Sequence, residues 1–305
     1  MHDQVLTEGL GAAAGAKPEQ PARRSLTSSF VRRFARNRLA VVGLAVLLAL
    51  LLVTLGAPLF LPVDRVTAQV RNATFAPPSA DAWFGRDEFG RDAFVRGIYG
   101  GRTSLWVAFI STLIATAIGV LLGTISGYAG GWIDVIVDRF VELILTLPFL
   151  LLLILAAAVL QPSATSIIVI LGLFGWPTLA RIVRGEFIAL RNREFVEAAR
   201  ASGASPGRIV FRHILPNTIA PIIVTATLIL ATNLIAEATI SFLGLGIKPP
   251  APSWGNMLTE AQNYLIRSPF LALFPGLLIL ITVLCVNLVG DGLRDALDPR
   301  LKRGG

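Results

Sequence analysis

The chain holds one cysteine, Cys285, in 305 residues. A single thiol inside an apolar run excludes an internal disulfide framework. Histidine is almost as scarce, with only His2 and His213, so no His or Cys/His metal centre can be assembled. The GxxxxGK[ST] phosphate loop and HExxH are missing, and no GxSxG lies inside an apolar run. Nucleotide hydrolysis and zinc proteolysis therefore find no machinery here, and serine hydrolysis finds none inside the apolar runs. Neither a metal nor a cofactor is expected, and the chain does not read as an enzyme. Charge is sparse too, at 15% Asp, Glu, Lys and Arg, against 54% hydrophobic residues and a mean hydropathy of +0.70. A soluble domain cannot hide that much apolar surface, so the chain reads as an integral membrane protein.

Six apolar runs are long enough to cross a bilayer, allowing for tilt. They lie near Leu39–Leu61, Ser104–Tyr128, Val135–Leu160, Ser166–Arg184, Thr218–Leu243 and Phe270–Val289. The first spans about 34 Å as a helix, longer than a signal h-region, so it is expected to be retained. Residues 1–30 are expected to form a disordered tail, rich in Gly, Ala and Pro at its start. Six crossings put both termini on one side. Lys and Arg choose the side: seven precede Leu39, Arg139 follows, seven lie from Arg181 to Arg212, and four lie from Arg294 onward. Those 19 of 27 fall on the side of the termini, which the positive-inside rule makes cytoplasmic. The net charge of +8 tracks these loops, so a nucleic-acid partner is not expected.

Within the spans, small and polar residues fall in patterns. Gly119, Gly123 and Gly127 stand four apart, on one helix face where a second helix can approach closely. Pro148 and Pro177 should kink the third and fourth spans. Thr218, Thr225, Thr232 and Thr239 recur every seven residues, and Asn233 and Glu237 are expected to extend their face. Thr225, Thr232, Asn233 and Glu237 are therefore candidate pathway-lining residues, since a carboxylate at membrane depth needs protein or water around it. The bland reading has each threonine bonding its own backbone and Glu237 pairing locally. Asp134, Asp138, Arg139 and Glu142 read as an interfacial first turn in which one Arg pairs locally.

The most telling stretch is Glu197 to Pro216, EAARASGASPGRIVFRHILP, in a basic loop between two spans. Glu and Ala favour a short helix, and Gly203 can turn the chain through positive φ. Pro216 suits the first turn of the next span. The loop reads as a firm knob suited to a groove on a soluble partner. It resembles the EAA motif by which permeases of ABC importers engage their ATPase subunits. Three further stretches carry the likeness: WFGRDEFGRDAFVRGIYGGRTSL from Trp83, ISFLGLGIKPPAPSWGNML from Ile240, and NLVGDGLRDALDPRLK from Asn287. Together they resemble a permease subunit of the oligopeptide/dipeptide/nickel family over residues 33–303. His213 stands where the broad EAA pattern has Ile, a substitution usual for the peptide branch.

That resemblance implies an all-α polytopic protein of six transmembrane helices with the type I importer (MetI-like) permease fold. The permease domain would cover residues 31–303, with the coupling loop at 190–216. Glu197, Ala198, Ala199, Gly203, Leu215 and Pro216 would couple the chain to an ATPase, through a helix near 197–205. The implied partners are a second permease subunit, two ATP-binding subunits, an extracytoplasmic solute-binding protein and membrane lipid. The implied site is a bacterial or archaeal cytoplasmic (inner) membrane, and the implied cargo is a di- or oligopeptide, with nickel chelates or glutathione as alternatives. A secondary transporter would usually show related repeats with broken helices, which this sequence does not display, and would leave the EAA loop unexplained. An intramembrane enzyme would need a catalytic constellation inside the spans.

Overall fold

A computed structural model describes residues 26–297, and side chains from Phe30 onward. The described residues are almost entirely helical; the one β pairing is an isolated bridge between Arg86 and Asp92. Five helical runs are long and apolar enough to cross a membrane, and a bent helix pair supplies a sixth. Of the tail expected over residues 1–30, residues 1–25 lie outside the described part, and the last five already belong to helix α1 (Leu26–Arg36).

Helix α2 (Arg38–Phe60) follows α1 after a one-residue break at Asn37, whose side chain accepts from the Ala40 amide at 3.1 Å. That is an ordinary N-cap, and it satisfies one of the amides a helix start leaves bare. Helix α3 (Ala93–Ala129) is the longest, at 37 residues. Asp92 caps it, accepting from Phe94 and Val95 at 2.9 and 3.2 Å. It begins eleven residues before the apolar run suggests, because a buried polar turn at its outer end carries Arg96 inside the protein. Gly130 and Gly131, both at positive φ, turn the chain into α4 (Gly131–Thr146).

The third expected span is not one kinked helix. It is α4 followed by α5 (Phe149–Val159), meeting at 88° across Leu147 and Pro148. Pro148 caps α5 instead of bending a continuous rod, since its ring excludes an upstream helical bond partner. The fourth span stays one run, Ala164–Arg191, interrupted only at Gly175 and Trp176 between α6 (Ala164–Phe174) and α7 (Pro177–Arg191). Here Pro177 occupies the first turn of α7, where its missing N–H is harmless.

After α7 come α8 (Glu194–Ala201), the single turn α9 (Pro206–Arg208), and a π-helical turn at Ile209–Ile214. Helix α10 (Leu215–Phe242) continues from that turn, so residues 206–242 form one unbroken 37-residue helical run. Pro216 does occupy the first turn of α10, as expected, but the helical run does not start there. The wider π turn precedes it, and the Leu215 amide reaches back five residues to the Val210 carbonyl. Helix α11 (Trp254–Gln262) was not foreseen; it is capped reciprocally by Ser253 and Asn256. Helix α12 (Phe270–Leu297) closes the described chain.

Helix α3 is the axis of this bundle. Its Gly119, Gly123 and Gly127 all press against α7, as their spacing predicts. A Cβ built on Gly123 would lie 2.6 Å from the Ala180 carbonyl oxygen, and one on Gly127 2.6 Å from the Phe187 Cβ. Nearer the other end, Gly101 meets the Trp254 ring and Thr54 of α2. Trp254 is fully buried, donates its indole N–H to the Gly97 carbonyl at 2.8 Å, and donates its backbone amide to the Ser104 hydroxyl at 3.1 Å. Small residues permit this contact because lipid offers helices no hydrophobic drive to associate, leaving close packing to do so.

Gly123→Val should therefore force α3 from α7 and destabilise the protein by about 1–3 kcal/mol, read as a lower thermal midpoint of the purified protein. Gly185→Ala, on the same α7 but with open space at its Cβ, should leave the midpoint unchanged or raise it.

Candidate functional site

The loop between α7 and α10 builds a knob. Helix α8 starts three residues before Glu197 and stops at Ala201, before the turn. Val196 is its one buried side chain, seated among Phe187, Ile209, Val210 and Ile214. The opposite face carries Glu197, Ala198 and Ala201, all exposed. The helix ends in a tight reversal. Amides of Ser202, Gly203 and Ala204 return to the carbonyls of Ala198, Arg200 and Ala199, each at 3.0 Å. Those bonds satisfy the helix's last carbonyls, and they need φ +78° at Gly203. No atom crowds that glycine, so the constraint there is backbone conformation, not space.

Ala199 and Leu215 are half-buried and Pro216 is exposed. Leu215 packs onto the same apolar cluster as Val196. Thus α8 is fastened to the root of α10, not suspended on a loose loop. Two exposed aromatics that the sequence reading passed over flank it, Phe195 at 42% and Phe211 at 71% exposure. Aromatic side chains left bare beside a rigid helix suit a partner's apolar groove.

The four candidates on α10 do not share one face. Thr225, Asn233 and Glu237 belong to a buried ladder that steps by four, with Ile229 and Ser241. Thr232 is exposed, beside Leu228 and Ile235. Adjacent helical residues stand about 100° apart, so Asn233 cannot extend the side that Thr232 occupies. Asn233 instead donates to Ser111 and Thr112 of α3 at 3.1 and 3.0 Å. Glu237 is wholly enclosed and accepts from Ser241 at 2.9 Å, with the Ser104 and Ser253 hydroxyls close to the same carboxyl group. Both residues are thus turned into the subunit, away from its open surfaces. A polar group deep in a membrane protein must find partners, and here three helices of the same chain supply them. Thr232 and Thr239 bond their own backbone carbonyls at Leu228 and Ile235, at 3.0 and 2.8 Å.

Near the knob, Arg139 pairs locally with Glu142 at 2.8 Å, as expected, but α4 starts at Gly131, so of the four charged residues only Asp134 lies in its first turn. Asp134 and Asp138 do something the sequence did not disclose. They hold Arg184 of α7, with Nε to Asp134 at 2.5 Å, Nη2 to its second oxygen at 2.9 Å, and Nη1 to Asp138 at 3.3 Å. Ser126 of α3 also donates to Asp134. This bidentate pair ties α4, α3 and α7 together beside the loop between α7 and α10.

At the opposite end of α3 lies a second charged cluster. Arg91 and Arg96 are buried and share Glu260 of α11, at 3.1 and 2.9 Å. Arg91 also holds Asp87 at 2.5 Å. Carboxylates of Asp87, Glu88 and Glu260 come within 4.8 Å of one another, a spacing that would suit a cation. The two guanidinium groups already fill that role. Burial raises the Glu88 carboxyl above its ordinary range, and the charges of Asp87 and Glu260 add to the rise. Its Oε2 has no hydrogen-bond partner among the described residues.

Helical spans around a central α3, one broken span, and a rigid helical knob at one end define a polytopic permease. The chain belongs to the family described as binding-protein-dependent transport system inner membrane components, whose model matches residues 119–303. A second model, the N-terminal TM domain of oligopeptide transport permease C, matches residues 25–78. Among curated relatives is the dipeptide transport system permease protein DppC of Alkalihalophilus pseudofirmus, 42% identical over 89% of this chain and 89% of that one. The oligopeptide transport system permease protein OppC of Bacillus subtilis is 40% identical over 96% of each chain. Among solved structures, the MetNI methionine ABC transporter in inward-facing conformations matches with a TM-score of 0.55 at 23% identity. That match covers 68% of this chain and 96% of the other. The fold is the MetI-like type I importer fold.

A carboxyl whose folded pKa is raised contributes nothing while it is protonated in both states. It subtracts stability as pH climbs through its unfolded and then its folded value. Glu88→Gln removes that loss. The variant's thermal midpoint should match wild type near pH 4 and exceed it increasingly towards about pH 8. A wild-type advantage at pH 8 would show that the Arg91 contact at 3.6 Å outweighs burial.

Proposed function

We propose that this chain is one of two permease subunits of an ATP-driven importer, and that α8 is the element through which it receives the work of ATP hydrolysis. The supporting observation is mechanical continuity. Val196 roots α8 in the cluster that holds Ile209, Val210 and Ile214, and those residues open the unbroken helical run ending at Phe242. A push on α8 would be carried into the longest polar span with no flexible joint between. The π turn before Pro216 and Pro221 inside α10 are places where that run can change its winding. Hydrolysis itself belongs to two separate ATP-binding subunits, one of which would take Glu197, Ala198 and the flanking Phe195 into a groove.

The cargo follows from the relatives. Permeases named for dipeptide and oligopeptide transport align with nearly the whole chain, which supports peptides over nickel chelates or glutathione. An extracytoplasmic binding protein would deliver the peptide to the end of the bundle opposite α8. Both termini are assigned to the cytoplasm, with α8, on the strength of the Lys and Arg distribution. The permease body then covers residues 31–303 in a bacterial or archaeal cytoplasmic membrane. The pathway runs between the two permeases along the open face of α10 that carries Leu228, Thr232 and Ile235. Asn233 and Glu237 act behind that face, holding α10 on α3.

Two experiments test this. Cysteines at Ala198 or Ala201 should crosslink to cysteines on the ATPase subunit in the intact complex. Gly203→Val should keep the complex assembled yet lower transport by roughly tenfold or more, because a β-branched residue resists positive φ; Gly203→Asn, which tolerates that region, should retain most of it. Wild-type transport by the valine variant would remove the coupling role. Separately, a cysteine at Thr232 should react with a water-soluble thiol reagent, at a rate that changes when ATP is trapped on the complex, while cysteines at Asn233 stay protected. Equal labelling at both positions would exclude the assigned pathway face.

A further inference from the structure

Helix α2 belongs to the N-terminal segment at residues 25–78, ahead of the 119–303 region that the family model matches. It touches the bundle closely at two heights. Towards its start, a Cβ on Gly43 would lie 3.1 Å from the Cys285 carbonyl oxygen and from the Leu288 Cβ of α12. Towards its end, Thr54 reaches to within 2.9 Å of the Cβ position of Gly101 on α3. Between these contacts the facing residues are large and the helices part. The gap is a cleft of about 360 Å³, walled by Leu47, Leu51 and Leu55 of α2 and by Trp106 and Phe109 of α3.

At the mouth of this otherwise apolar cleft sits Arg102. It is exposed, and it makes no hydrogen bond or ion pair among the described residues. An arginine nine residues into a membrane-spanning helix is costly against hydrocarbon unless its charge finds an anion. Its neighbour Gly101 is level with Thr54, six residues from the end of α2, so Arg102 lies about 9 Å below that interface. A guanidinium can snorkel that far and hold a phosphate with two parallel N–H donors.

We propose that this cleft is a phospholipid site. One acyl chain lies between α2 and α3 against Leu51 and Trp106, and the lipid phosphate is held by Arg102. The lipid fills the space that helix packing leaves open, and so fastens the added helix to the permease core. The orientation proposed above decides only which leaflet the lipid comes from, here the external one; the site itself does not depend on it. A helix of the second permease is the competing occupant. The crosslinking arm below separates the two occupants.

The test uses the intact complex, purified in detergent and washed with increasing detergent before bound phosphatidylglycerol and phosphatidylethanolamine are extracted and counted by mass spectrometry. Wild type should retain about one phospholipid per copy of this chain. Arg102→Leu should lose it at roughly tenfold lower detergent stringency, as expected for removal of one charge-assisted contact. Arg102→Lys should restore most of the retention. Leu51→Trp, which fills the exposed side of the cleft, should also lose the lipid while subunits still co-purify. Equal lipid in wild type, Arg102→Leu and Leu51→Trp would overturn the proposal. So would efficient crosslinking of a cysteine at Leu51 to the second permease, which would make the cleft a subunit seam. Failure of the coupling experiments on α8 would leave lipid retention untouched, so the two readings fall separately.

Discussion

The close seating of α3 against its neighbours is the contact on which everything else depends. In a membrane, helices gain nothing by hiding apolar surface from lipid that is equally apolar. What remains is contact between backbones, and that requires residues without bulk. Along α3 these are Gly119, Gly123 and Gly127 towards α7, and Gly101 towards Trp254. Each places a carbonyl or a ring where a methyl group would collide. With α3 fixed between α7 at one end and α11 at the other, the remaining helices have defined positions.

That seating also explains where the polar groups go. Asn233 and Glu237 of α10 face α3 because α3 offers Ser104, Ser111 and Thr112 at the right heights. Arg184 of α7 meets Asp134 because α3 and α7 run in contact as far as the turn at Gly130. Burial of Arg91 and Arg96 is tolerated because α11 brings Glu260 to them. The polar groups follow the glycine contacts. Once helices are this close, unpaired charges and amides between them are costly, and most find a partner on another element, although Asn233 Oδ1, Glu237 Oε2 and Arg96 Nη1 keep none among the described residues.

Helix α8 uses the same logic at the membrane surface. Its single buried valine is enough to attach it, because the cluster below is already built from α7 and the start of α10. The rest of its surface is left free, and so are Phe195 and Phe211 beside it. One side of the helix is thus fixed and the other open, with a positive-φ glycine setting the angle between it and the next run.

Much of this was legible in the residues. Hydrophobic length determined the number of crossings, because a backbone in lipid must satisfy its own hydrogen bonds within a helix. Four-residue glycine spacing identified the close face of α3, since helical periodicity alone puts those positions together. The turn at Gly203 was readable from its lack of a side chain after an Ala-rich run. Other features were not. Pro148 marked a break, but only packing set its angle at 88°. The threonine repeat pointed to one face of α10, yet Thr225 is buried and Thr232 is open, because burial depends on which neighbour is present, not on the helix itself. Arg184, Glu260 and Trp254 gave no local sign of their roles, for their partners lie fifty or more residues away. Sequence determines what each segment can do alone, which is to span, to bend or to cap; the meeting of polar groups from distant spans is decided only when the helices pack.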